Sequence, residues 1–117
     1  MTVDRHYLCD VADLPEGASR GFVIEAESGY QDIFLVCKHG KIHAYRNSCP
    51  HTGGPLDWVP DQFLNLDRDL IQCATHDALF RINDGVCVAG PCAGDRLGKV
   101  DIVVSDGSIF FVDGAGP

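Results

Sequence analysis

DLIQCATHDALFRINDGVCVAG, residues 69–90, reads as three short strands joined by two turns. Ala78, Phe80 and Ile82 alternate with polar neighbours, Arg81 and Asn83 among them, and a period of two marks a strand with one buried face. Asn83-Asp84-Gly85 is turn chemistry between two such runs. Outward from this stretch the same grammar repeats, with turn signals at Glu27-Ser28-Gly29, His39-Gly40 and Ser105-Asp106-Gly107. Strands are expected at about 20–26, 32–38, 41–46, 69–73, 78–82, 86–89, 99–104 and 108–113, with Val100, Ile102 and Val104 sharing a face against Lys99 and Asp101. A short helical turn fits only residues 11–16, where Pro15 and Gly17 limit it. The fold class is therefore all-β, a small antiparallel sandwich or barrel. At 117 residues and 12.7 kDa the expectation is a single domain over residues 1–117, and 13 Gly with 6 Pro favour many short elements over long helices.

Apolar residues make up 45% of the chain and charged residues 22%, so a packed core is expected. Seventeen acids against nine Lys and Arg give a net charge of −8, which repels a phosphate backbone or an anionic membrane and suits a basic protein partner. No nucleic acid and no membrane are expected as partners. Met1 to His6 carry no apolar core of a signal peptide, and no apolar run approaches the roughly 18 residues of a membrane span. A cytoplasmic protein follows, and in that compartment six Cys read as metal ligands or buried thiols before disulfides.

Two stretches resist the strand reading. NSCPHTGGPLDWV (47–59) and GPCAG (90–94) are dense in Gly, Pro and Cys, as functional loops on a rigid scaffold are. Cys49-Pro50-His51 in the first and Cys73-Ala74-Thr75-His76 at the end of a strand each pair one Cys with one His. Thiolate and imidazole suit zinc and iron alike, and the four together have the composition of a tetrahedral site. The spacing does not suit a zinc finger; a single spacer between Cys and His is easier to satisfy if the two bind different metals lying side by side. Mononuclear zinc in an interaction module remains the rival reading. Cys37 and Cys87 fall inside strands and read as small buried hydrophobes, as do Cys9 and Cys92, with no disulfide proposed. His6, His39 and His43 lack ligand spacing and read as surface or turn residues. Trp58 reads as a packing residue, and Asp57, Asp61, Asp67, Asp69 and Asp77 as a solvated surface.

The pattern C-x-H followed by C-x-x-H resembles the Rieske family of [2Fe–2S] proteins, in which two His replace two Cys on one iron. The resemblance implies that Cys49 and Cys73 hold the inner iron and His51 and His76 the outer iron, each His through Nδ1. It is strict over 49–76 and looser over 41–112, with a cluster-binding loop subdomain at about 46–94. Thr52-Gly53-Gly54-Pro55-Leu56 would bring backbone N–H groups to the bridging sulfides, Pro50 would stiffen the ligand turn, and Gly90-Pro91-Cys92 would shield the cluster. One departure is the 21 residues between His51 and Cys73, a few more than typical; the surplus is assigned to PDQFLNLDRD (60–69), a lengthened surface connection.

Within that family, respiratory subunits carry an anchoring helix and a disulfide whose positions here hold Gly54 and Thr75. Oxygenase α-subunits add a large domain for which 117 residues leave no room, and the nitrite reductase small subunit, kept as an alternative, usually loses the ligands retained here. The implied function is a Rieske-type ferredoxin, an electron carrier and not an enzyme, passing single electrons from a flavin-dependent ferredoxin reductase to a terminal oxygenase. High-potential members place a Ser and a Tyr after the second His, and these positions hold Ala78 and Phe80 here, which implies a low potential.

Overall fold

The computed structural model describes residues 4–26, 29–48, 56, 61–65, 67–73, 78–90 and 93–113. Among the described residues nine strands and one 3-10 turn follow in chain order: β1 (Asp4–Asp10), the turn Val11–Asp13, β2 (Ser19–Ala26), β3 (Gly29–Lys38), β4 (Lys41–Arg46), β5 (Leu70–Gln72), β6 (Leu79–Arg81), β7 (Cys87–Ala89), β8 (Ile102–Ser105) and β9 (Ser108–Asp113). They form three antiparallel three-stranded sheets in the orders β1-β9-β8, β2-β3-β4 and β5-β6-β7. The all-β expectation holds, and the eight expected strands correspond to β2 through β9.

The β2-β3-β4 sheet is the middle layer. Ile33 to Cys37 of β3 are buried without a break, the mark of a strand covered on both faces. Ile33, Leu35 and Cys37 pack with Cys9, Ile109 and Phe111 of the β1-β9-β8 sheet. Phe34 and Val36, pointing the other way, pack with Leu56, Phe63, Ile71, Cys73, Phe80 and Cys87 around the β5-β6-β7 sheet. Hairpins with two-residue turns set the registers: Lys38 pairs with Lys41 across His39-Gly40, and Ser105 with Ser108 across Asp106-Gly107. Positive φ at all four turn residues (54°, 73°, 51° and 79°) matches the right-handed twist of the strands. Glu16 clamps the first turn, its carboxylate accepting from His39 N at 2.7 Å and Gly40 N at 3.0 Å. The expected turn at Glu27-Ser28 lies outside the described residues, although Ala26 and Gly29 pair on either side of it.

Two expectations need correction, and one expected face is only partly covered. Residues 4–10, which the expected strands leave out, form β1, and β9 pairs with them along its whole length. Val104 lies 51% exposed, although Val100 and Ile102 pack into the core as expected. It pairs with the fully buried Ile109 and so shares its face, but β8 is an edge strand and the covering layer stops short of it. The connection at 60–69 is no plain surface loop. Phe63 is fully buried and stacks on Phe34, with centroids 4.3 Å apart and planes 4° from parallel. Asp61 anchors rather than merely solvates: its Oδ1 accepts from Gly21 N at 2.8 Å and its carbonyl from Ser19 Oγ at 2.7 Å. Residues 63–65 then run antiparallel to 70–72, with Gln72 N donating to Phe63 O and Asn65 N to Leu70 O.

Candidate metal centre

Of the four expected ligands, Cys73 is described; Cys49, His51 and His76 lie outside the described residues. So do Pro50, Thr52 to Pro55, Asp57, Trp58, Thr75, Asp77, Pro91 and Cys92, and with them the expected loop glycines, the Gly54 and Thr75 comparison and the shielding Cys. Cys73 follows β5 directly and is 1% exposed, inside the apolar cluster that includes Phe80, Leu56 and Ile71. A thiolate there is tolerable only with a partner that takes up its charge, which a ferric or ferrous ion does. The donor chemistry at the one described position thus fits the inner iron of a cluster. Cys9, Cys37 and Cys87 are buried as expected, and burial pushes the Cys9 and Cys37 thiols up, which favours their neutral form.

The described residues also show how each segment that carries expected ligands is tied at its base. Segment 49–55 runs between Asn47 and Leu56, and Leu56 N donates to Asn47 Oδ1 at 2.7 Å in a buried hydrogen bond. Asn47 is the buried polar side chain of the described core, at 8% exposure. Its own N–H donates to Asp32 O at 2.9 Å and its Nδ2 to Asp32 Oδ1 at 3.3 Å, so β3 holds the post to which the segment is fastened. Segment 74–77 runs between Cys73 and Ala78 and is closed by Cys73 N donating to Ala78 O at 2.9 Å. Gly90, where the 90–94 stretch starts, has φ +97°, and a Cβ there would stand 2.8 Å from Ala78 Cα. Only glycine allows the backbone at residue 90 to lie this close to Ala78. Ala93 N returns to Gly90 O at 3.3 Å.

Tyr45 of β4 is buried and donates its hydroxyl to Ile82 O at 2.6 Å, which bolts the middle sheet to the β5-β6-β7 sheet. Burial, with the Asp84 carboxylate adding, pushes this phenol up to about 12. Ala78 and Phe80, at the Ser and Tyr positions, are both fully buried. Sequence reasoning passed over Asn47, since a single Asn before a Ser-Cys pair carries no periodicity; only its place at a loop entrance, where Asn side chains commonly bind backbone, hinted at the role.

A family model for the Rieske [2Fe-2S] domain matches residues 4–105. Apoptosis-inducing factor 3 of Mus musculus and of Homo sapiens is each 37% identical over 78 residues, which is 67% of this chain and 11% of theirs; the chain thus spans about a ninth of the curated relatives it matches. Among solved structures, the ferredoxin of carbazole 1,9a-dioxygenase from Nocardioides aromaticivorans IC177 superposes with a TM-score of 0.69 at 20% identity, covering 95% of this chain and 97% of that one. A complex of reduced oxygenase and oxidized ferredoxin in carbazole 1,9a-dioxygenase gives 0.71 at 21% identity, covering 92% and 91%. These two likenesses establish the fold. Among the described residues no helix is long and apolar enough to cross a membrane.

Proposed function

The chain belongs to the Rieske [2Fe-2S] domain family, whose cofactor is a [2Fe–2S] cluster, and from that premise we propose that it is a one-electron carrier and not itself an enzyme. Cys49, His51, Cys73 and His76 would hold the cluster, Cys49 and Cys73 on one iron and the two His on the other, within a cluster-binding part at about residues 46–94 of a single domain. When bound, the cluster takes up and releases a single electron. The chain's own residues do the rest: Asn47 and the Cys73–Ala78 backbone bond fix the ends of the two ligand segments, and the apolar cluster behind Cys73 keeps water from the thiolate side.

Family membership favours this reading over a zinc-stabilised module, and retention of all four ligand residues favours it over a nitrite-reductase-like subunit. The similar structures named above are ferredoxins, one of them together with its oxygenase, which supports a terminal oxygenase as the electron acceptor; a flavin-dependent ferredoxin reductase as donor and a cytoplasmic location complete the reading. A charge of −8 suits transient docking to basic partners, steered electrostatically and weakened as salt rises.

The observation that carries the proposal is the buried Cys73 at the end of β5. Purified protein should be red-brown with iron and acid-labile sulfide in equal amounts, and Cys73→Ala should be colourless while the sheets still form. Full iron and sulfide content in Cys73→Ala, or a colourless zinc-bearing wild type, would overturn it.

A further inference from the structure

Away from the ligand segments the molecule carries a second concave feature, of opposite charge to the chain as a whole. The end of the β3–β4 hairpin leans over the β5-β6-β7 sheet and encloses a cleft of about 500 Å³, well within the range of small-molecule sites. Lys38, His39, Lys41 and His43 line one wall and Arg81 the other, with Asp69 as the acid among them. Leu70 and the buried Ile82 supply an apolar floor. A second hollow of about 300 Å³ shares His43 and Asn83 with the first and adds Lys99 and Asp101. The two together are lined by four of the chain's nine Lys and Arg and by two of its seventeen acids, with Asp84 paired to Arg81 beside them. In a protein of net charge −8 such segregation is the reverse of what an evenly solvated surface would show.

The polar groups are also arranged to leave positive charge over. Lys38 Nζ is held at the rim by Arg68 O at 3.0 Å. Arg81 is fixed by Asp84, with Nε to Oδ1 at 3.1 Å and Nη2 to Oδ2 at 2.7 Å. Asp69 is already engaged, its Oδ1 accepting from Asn65 Nδ2 at 2.7 Å. Among the described residues, the Lys41 ammonium and the His43 ring have no hydrogen-bond or ion-pair partner. His43 registers the resulting field: burial first, then the Lys41 and Lys99 charges, hold its imidazole below the usual histidine range.

We propose that this cleft binds a small phosphate-type polyanion, free or carried as an ester, between Lys41, His43 and Lys99, with Lys38 and Arg81 as fixed walls. The fixed cations keep the walls open, and the unpartnered ones supply the charge-assisted bonds. The site is distinct from the proposed cluster site: Leu70 stands three residues before Cys73 on an extended strand, about 10 Å along it. Its existence is independent of the electron-carrier reading.

The test uses the cluster-loaded protein and two probes, inorganic pyrophosphate and adenosine diphosphate, with the His43 ring resonance followed through a pH titration at each ligand concentration. An anion in the cleft offsets Lys41 and Lys99, so saturation should move the His43 midpoint upward. Lys41→Gln and Lys99→Gln should each weaken binding by about 3- to 10-fold, as the loss of one charge at a partly solvated contact does, while Arg5→Gln on β1, in a different sheet, leaves it unchanged. Tighter diphosphate ester assigns the ester as ligand, and tighter pyrophosphate assigns the free anion. A His43 midpoint unmoved by millimolar amounts of either probe, or an Arg5→Gln loss equal to that of Lys41→Gln, would overturn the proposal.

Discussion

Replacing Asn47 by Ala removes the acceptor that closes the first ligand segment. In the wild type its Oδ1 receives the buried Leu56 N–H at 2.7 Å, and Leu56 is fully buried with no access to water. A buried donor left without its partner costs about 1–3 kcal/mol. The bond to Asp32 adds little, since at 3.3 Å to an exposed carboxylate it is long and well solvated. If the cluster is held by the segment between residues 47 and 56, that cost appears as a more frequent opening of the segment's base. Converted at about 1.4 kcal/mol per tenfold, the open population rises about 5- to 150-fold, and loss of iron to an external chelator should accelerate by the same factor. The urea unfolding midpoint should fall in step. Asn47→Asp separates the acceptor from the rest of the side chain: it keeps an oxygen for Leu56 N–H but sets a second carboxylate beside Asp32. That repulsion raises the new carboxyl's folded pKa, so the variant should be near wild type while the group is protonated and lose stability as pH rises through that raised value. Chelator release and unfolding both within twofold of wild type for Asn47→Ala would refute the reasoning.

Three further outcomes follow from the same contacts. Tyr45→Phe leaves Ile82 O unmatched in the core and should lower unfolding stability by about 1–3 kcal/mol with little change in the visible spectrum, measured by denaturant titration. Glu16 holds two turn N–H groups, and those bonds depress its pKa below 4.5; stability drawn from it is present above the ordinary glutamate value and lost as pH falls through the lower folded one, so Glu16→Gln should flatten the acid limb of the stability curve and leave the neutral region's slope untouched. With Ala78 and Phe80 offering no hydroxyl, the reduction potential should lie near −150 mV rather than +300 mV, and voltammetry of Ala78→Ser and Phe80→Tyr should show upward shifts on the order of 60–130 mV at most for each bond formed.

Strand positions were legible because they depend on side-chain period and turn chemistry, both local. His39-Gly40 and Asp106-Gly107 are the kinds of pairs that accept positive φ twice, and each closes a hairpin where the sequence places it. The face assignment of Ala78, Phe80 and Ile82 held for the same reason. What escaped depends on contacts distant along the chain. DRHYLCD falls outside the expected strands, and its place in β1 rests on β9, some hundred residues later. Phe63 sits among Asp, Gln and Asn, and nothing local says that its ring will stack on Phe34. At the candidate site the expected ligands come from chemistry and spacing, and of the four only Cys73 lies among the described residues. Asn47 was not legible, because a hydrogen bond across nine residues to Leu56 leaves no periodic trace.

The buried ring of Phe63 also bears on the order of assembly. Leu56, Phe63 and Ile71 rest on apolar contacts in one cluster, and none of them is an expected ligand. They divide the 21 residues between His51 and Cys73 into short spans whose ends are fixed by packing rather than by metal. Closure entropy grows with the logarithm of span length, and for these spans it is met by hydrophobic burial as the sheets form. Iron and sulfide arriving later would meet the expected ligands between anchors already in place, Asn47 with Leu56 and Cys73 with Ala78. Incorporation then becomes a local search over a few residues, and a chain that loses its cluster keeps the frame needed to take up another.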